Sequence, residues 1–292
     1  MDSKHSAIFA GSRQLEVTDE SLGISFPVLV HYPTYQPSTP TPFGPYIMDV
    51  SPQADIIDGQ FPLAIISHGN GGSHLLYRTI SIYLAKNGYI VAMPEHYGNN
   101  RNNNELAQST ENLVLRPKHV SLTIDALLSE KDLGKCISPN NIGVAGHSFG
   151  GYTALALAGG IPWTQTGQKV EAPHDPRVKA LVLMAPAAGW FIPKDSLAEV
   201  TVPILLFAAE RDPYTPKWNA DVIINGVSDK SQVTFRLIEG AGHFSFLSPF
   251  PPAMKHPGFL PSTDPEGFDR EQFHIKLPQE ILKFLNEQLH AS

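Results

Sequence analysis

The sequence predicts an α/β protein, with a mostly parallel central sheet and helices on both faces. Three observations carry this. Several short apolar runs are continuous rather than alternating, as strands buried on both faces must be. Stretches of helical spacing lie between them, so strand and helix alternate along the chain. Finally, Gly146-His147-Ser148-Phe149-Gly150 joins the apolar run Ile142-Gly143-Val144-Ala145 to a small-residue helical run from Tyr152 to Ala158.

In chain order, residues 13–33 read as an antiparallel pair that turns at Asp19-Glu20-Ser21. Residues 34–60 contain Pro37, Pro40, Pro42, Pro45 and Pro52, and are expected to form an irregular surface segment, since proline donates to no ladder. Phe61 to Ser67 reads as a buried strand that runs into His68-Gly69-Asn70-Gly71-Gly72. A helix over residues 75–87 ends at Gly88, the position where a left-handed residue stops a helix. Tyr89 to Pro94 is the next buried strand, and Pro117 to Leu128 an amphipathic helix. After the glycine-flanked serine, strands are expected at 178–184, 204–208 and 233–238, with a last helix over 272–289 interrupted early by Pro278. No repeat or second domain is evident, so residues 1–292 are expected to form one domain, with cap-like insertions near 161–176 and 186–201.

A net charge of −7 and the lack of a Lys/Arg cluster argue against nucleic acid, which needs a basic surface. No run of about 18 apolar residues occurs, so no membrane span is expected. Met1-Asp2-Ser3-Lys4-His5 lacks the charged and then apolar pattern of a secretory leader. The single cysteine, Cys136, fits a reducing compartment, and a cytoplasmic location is expected. The 12 histidines are scattered without metal-ligand spacing, and no phosphate-binding loop with a following lysine is present. No metal or cofactor is expected.

In a parallel sheet, function gathers at the C-terminal ends of the strands. Ser148 sits there on a sharp strand-to-helix turn, the geometry that exposes a nucleophilic hydroxyl. A serine hydroxyl is too weakly acidic to attack unaided and needs an imidazole base, which in turn needs a carboxylate to hold its tautomer. His243 follows the strand 233–238 on a slim loop, Gly240-Ala241-Gly242, and is the best base. Asp212 follows the strand 204–208 and is the best acid, with Glu210 its nearest competitor. His147 lies within the turn and is expected to point away from the serine. The backbone N–H groups of Phe149 and Asn70 are placed to receive a developing oxyanion. Only the Asn70 amide is needed for that, so replacement of its side chain is expected to be mild.

These motifs, with Gly242-His243-Phe244, resemble the α/β-hydrolase superfamily, and more closely the dienelactone-hydrolase-like and platelet-activating-factor-acetylhydrolase-like serine hydrolases. The His-Ser-Phe-Gly-Gly turn is shared with the latter, and the stretch from His243 to Arg270 is similar to bacterial members of that group. The resemblance covers roughly residues 60–290 and implies Ser148 as nucleophile, His243 as base, and Asn70 and Phe149 as oxyanion donors. Two features depart from the pattern. Dienelactone hydrolases proper carry cysteine where this chain has Ser148. The acetylhydrolases carry their acid one strand earlier, where this chain reads Met184-Ala185-Pro186-Ala187.

Aromatic residues fall in the loops above this strand edge: Trp163, Trp190 and Phe191 in the insertions, Tyr214 and Trp218 after the acid, and Phe244 after the base. Trp190, Tyr214 and Phe244 are the expected substrate contacts. The run Asn99 to Asn104 is expected to be a solvated, mobile loop. The expected activity is hydrolysis of a small-molecule carboxylic ester through an acyl-enzyme. Amide, lactone or thioester cleavage by the same residues, or a binding protein without catalysis, are the alternatives.

Overall fold

Two long strands, β1 (Phe9–Asp19) and β2 (Ile24–Thr34), open a computed structural model that describes residues 7–289. The Met1–His5 stretch read for a leader lies outside those residues. The pair is antiparallel and in register from Phe9 opposite Thr34 to Asp19 opposite Ile24. At the turn the Asp19 carbonyl accepts from the amides of Leu22 and Gly23, and its carboxylate accepts from Ser21.

The proline-rich stretch corrects its expectation. It contains a hairpin of β3 (Thr39–Phe43) and β4 (Tyr46–Pro52), and β4 joins the main sheet parallel to β1. Pro40 and Pro42 stand two apart in the outermost strand, so both missing amides fall on one side of it. A ladder to β4 then runs through Thr39, Thr41 and Phe43 and needs nothing from the prolines.

The remaining strands are β5 (Phe61–Ser67), β6 (Ile90–Pro94), β7 (Ile137–His147), β8 (Val178–Met184), β9 (Ile204–Ala209) and β10 (Val233–Ile238). They give one sheet in the order β10-β9-β8-β7-β5-β6-β2-β1-β4-β3, parallel from β10 through β6. All residues of β6 and β9 are buried, as expected of strands covered on both faces.

Two hydrophobic cores cover the two faces. One contains residues of α2 (Thr110–Ser129), α3 (Phe149–Leu157) and α4 (Trp218–Gly226), the other residues of α1 (Arg78–Lys86) and α5 (Arg270–Leu289). Helix α2 starts seven residues before the Pro117 expected to open it, because Ser109 caps it by accepting from the Asn112 amide at 3.1 Å. Pro117 therefore lies inside the helix and leaves the Leu113 carbonyl without its intrahelical donor. The buried Tyr152 hydroxyl of α3 donates to that carbonyl at 2.9 Å, which turns the defect into a tether between the helices. Helix α5 likewise runs through Pro278. The segments 161–176 and 186–201 are joined by hydrogen bonds from the Trp163 amide to the Trp190 carbonyl and from the Ile161 amide to the Ser196 carbonyl.

Candidate active site

Ser148 links β7 to α3 with a left-handed backbone, φ +56° and ψ −118°, a conformation strained for any residue but glycine. Its amide donates to the Met184 carbonyl, and its own carbonyl accepts from Gly151 and Ala187, so three backbone hydrogen bonds fix the turn. The flanking glycines are required by packing. A Cβ on Gly146 would stand 2.1 Å from the Gly150 carbonyl oxygen, and one on Gly150 would stand 2.0 Å from that of Ser67.

His243 Nε2 lies 2.9 Å from Ser148 Oγ, and His243 Nδ1 lies 2.7 Å from Asp212 Oδ2. The loops that carry the two residues are bound together, since the Arg211 amide donates to Ala241 and the Glu210 amide to Ile238. Asp212 Oδ1 accepts from the amides of Tyr214 and Thr215, and Oδ2 from the Thr215 hydroxyl at 2.8 Å. Burial pushes the Asp212 carboxyl up, but the hydrogen bond and charge of His243 and the Thr215 donors outweigh it and hold the group below its ordinary value. Glu210, the competitor, is exposed and accepts from the Gly240 amide at 2.8 Å. Thr215 was not singled out from the sequence. Its place three residues after Asp212, within reach of an Asx-type turn, was the available signal.

These groups open onto a cavity of about 520 Å³. Its wall includes Asn70, Phe149, Trp190, Tyr214 and Phe244. Trp163, Phe191 and Trp218 do not line it; Phe191 is buried against the Tyr152 ring instead. The Tyr214 ring lies tilted against both His243 and Phe244, with centroids 5.1 and 5.2 Å apart, and the Trp190 ring centroid lies 5.0 Å from that of Phe149. Among the described residues no three His, Cys, Asp or Glu side chains gather as metal ligands do, and no helix is long and apolar enough to cross a membrane.

A ferulic acid esterase from Streptomyces cinnamoneus superposes with a TM-score of 0.73 over 100% of this chain and 93% of its own, at 17% identity. The chain has the α/β-hydrolase fold. The family model of platelet-activating factor acetylhydrolase, isoform II, matches residues 43–112, a window that holds the His68–Gly72 loop but not Ser148, Asp212 or His243. No curated protein matches the chain.

Within this α/β-hydrolase fold the loop after β5 approaches the serine closely, since a Cβ on Gly69 would stand 3.2 Å from Ser148 Cβ. The amides of Asn70 and Phe149 have no hydrogen-bond partner among the described residues. The Asn70 side chain does have one. Its Oδ1 accepts from Asn99 at 2.7 Å, and Asn99 Oδ1 accepts from Arg116 at 2.6 Å. Arg116 also donates to Thr153 Oγ1, Ser67 Oγ and the His68 carbonyl, and its guanidinium lies over the Phe149 ring.

Among the described residues Arg116 has no carboxylate partner, and it is fully buried. Burial pulls its pKa down to about 9, still charged at neutral pH. Burial first, and Arg116 second, hold His68 well below its ordinary value. His68 is fixed as a neutral tautomer: Nδ1 donates to the Gly69 carbonyl and Nε2 accepts from the His96 amide.

His147 was expected to point away from the serine, and it supports the site from behind. Its Nε2 donates to the His243 carbonyl at 2.9 Å, leaving Nδ1 to accept from the Tyr77 hydroxyl at 3.1 Å. The Gly69 amide in turn lies 3.4 Å from the Tyr77 oxygen. One chain of polar groups therefore ties the serine turn to the loops of Gly69 and His243. The Asn99 to Asn104 loop is not the loose segment expected. Asn99 and Asn100 are buried, and the Asn100 side-chain oxygen accepts from the amides of Asn102 and Asn103 at 2.9 Å each.

Proposed function

We propose that the protein is a serine hydrolase acting on a small-molecule carboxylic ester. The observation that carries the reading is the unbroken hydrogen-bond path from Ser148 Oγ through His243 to Asp212, set under a cavity large enough for a small substrate. Ser148 Oγ attacks the ester carbonyl while its proton passes to His243 Nε2. Asp212 holds the Nδ1–H tautomer and stabilises the imidazolium. The carbonyl oxygen becomes an oxyanion that accepts from the free amides of Phe149 and Asn70. Collapse expels the alcohol, which takes the proton from His243. Water, deprotonated by the same ring, then releases the acid and restores Ser148.

Trp190, Tyr214 and Phe244 form the apolar contacts for the substrate in this reading. The segments 161–176 and 186–201 act as a small cap on a single domain. The lone, buried cysteine suits a reducing, cytoplasmic setting.

The test is hydrolysis of p-nitrophenyl acyl esters together with labelling by a fluorophosphonate probe. Turnover with labelling at Ser148, both lost in Ser148→Ala, is expected. Full turnover by Ser148→Ala would overturn the reading. Absence of both turnover and labelling in the native protein would favour a binding protein on the same fold. Matched amide and ester substrates of one acyl group then decide the bond class.

A further inference from the structure

Among the described residues that line the cavity, Arg101 is the only one with a permanent charge; no Lys, Asp or Glu is present. Arg101 has no carboxylate partner among the described residues. Its side chain makes no hydrogen bond, ion pair or ring contact among the described residues. Its backbone, by contrast, is fixed. The Arg101 amide donates to the Gly72 carbonyl at 2.8 Å, and the turn is braced by Asn100 on one side and by the Asn103 carbonyl, which accepts from the Asn100 amide at 2.7 Å. An exposed, charged side chain thus stands on a fixed stretch of backbone beside the loop that carries Asn70, with its donors unused.

A second unused donor stands in the same wall. Tyr46 is buried at the start of β4 and lines the cavity, and its hydroxyl has no partner among the described residues. The Arg78 guanidinium lies 4.1 Å from its ring centroid, with donors committed to the Leu75 and Pro249 carbonyls. Ring contacts put Tyr46 in one aromatic group with Phe250 and Phe259, apart from the group of Trp190, Phe149 and Tyr152. The cavity accordingly has one apolar aromatic wall beside Ser148 and another that presents a guanidinium and a phenol. A guanidinium fork matches the oxygens of a carboxylate or phosphate, and such charge-assisted bonds are the stronger ones.

The geometry points to an ester substrate that carries an anionic group, a carboxylate or a phosphate, on the arm seated against Arg101 and Tyr46. The inference rests on the ester-hydrolase reading above. It assigns to Arg101 the recognition of substrate charge and to Tyr46 a supporting hydrogen bond.

Matched esters test it: neutral alkyl esters beside isosteric ω-carboxylate and ω-phosphate esters, with the anion placed on the acyl arm in one set and on the alcohol arm in another. The readout is the ratio of kcat/KM for anionic over neutral members. The native protein is expected to prefer at least one anionic member by roughly tenfold, the scale of one charge-assisted hydrogen bond. Which member is preferred separates carboxylate from phosphate. The ratio should fall toward one in Arg101→Ala, be partly kept in Arg101→Lys, and drop below one in Arg101→Glu. It should also shrink as salt screens the charge, and in Tyr46→Phe. A native ratio near or below one in both sets overturns the inference, as does a preference that survives in Arg101→Ala. Labelling of Ser148 by the fluorophosphonate probe keeps the two failures apart: with labelling and no anion preference, only this inference falls; without labelling, the ester-hydrolase reading falls.

Discussion

Arg116 donates to the side-chain oxygen of Asn99 at 2.6 Å, and that bond couples a buried cation under α3 to the loop that carries Asn70. The coupling makes Asn99 a positioning residue: it touches no substrate, yet it sets where the Asn70 amide points. Asn99→Ala is expected to lower kcat by roughly tenfold with KM little changed, since a displaced oxyanion donor weakens the transition state more than the ground state. Asn70→Ala should do the same, contrary to the mild effect expected from its backbone role alone. Steady-state kinetics on one p-nitrophenyl ester decide this; an unchanged kcat in both variants would mean that the side-chain link is irrelevant to the amide.

Asp212→Asn is expected to lower kcat by about 10⁴-fold, because an amide in that place stabilises the wrong tautomer of His243. Thr215→Val removes a single donor to the same carboxylate and should cost far less, about tenfold. The Asp212 carboxyl lies below its ordinary value, so it stays ionised into mild acid. The Thr215→Val enzyme should hold the ionised form less firmly. Comparison of kcat across the two variants checks the order of effects.

Gly150→Ala should abolish the fold of the serine turn, since the new methyl would stand 2.0 Å from the Ser67 carbonyl oxygen, which is fixed main chain of β5. Loss of soluble protein, or a large fall in melting temperature together with loss of probe labelling, is the expected result. A stable, fully labelled Gly150→Ala protein would contradict this close approach of Gly150 to β5.

Acid should destabilise the protein before its carboxylates titrate. Burial holds His31, His119 and His147 at about 3 and His274 at about 4, below the ordinary value of 6.5. Between those values and 6.5 the unfolded chain binds more protons than the folded one, so stability falls as pH falls through that window and is unaffected by these groups above it. At pH 5.5 each contributes roughly 1 kcal/mol of destabilisation, a few kcal/mol together. Scanning calorimetry from pH 7.5 to 5.5 should show the melting temperature fall by roughly 10 °C. A flat profile would mean that these rings are charged in the folded state.

The mostly parallel sheet was legible because continuous apolar runs mark strands buried on both faces, and Ser148, Asp212 and His243, which the structure brings within hydrogen-bond reach, each follow a strand. What was not legible depended on partners distant in sequence. Pro117 reads locally as a helix start, and only Tyr152, 35 positions on, supplies the donor that lets it sit inside α2. Asn99 to Asn104 reads as solvated because asparagine favours loops, while its rigidity comes from side chains that bond one another and Arg116. Strand alternation turns the His147 ring away from the serine, while its partner, the His243 carbonyl 96 positions on, is set only by the fold.

Pro40 and Pro42 carry one more consequence. They close the end of a ten-stranded sheet whose last strand would otherwise present a full row of main-chain donors to any passing chain. With two donors missing from the outward row, a second molecule cannot continue the ladder there. The same prolines that obscure the hairpin in the sequence thus protect the protein from growing strand upon strand into an aggregate.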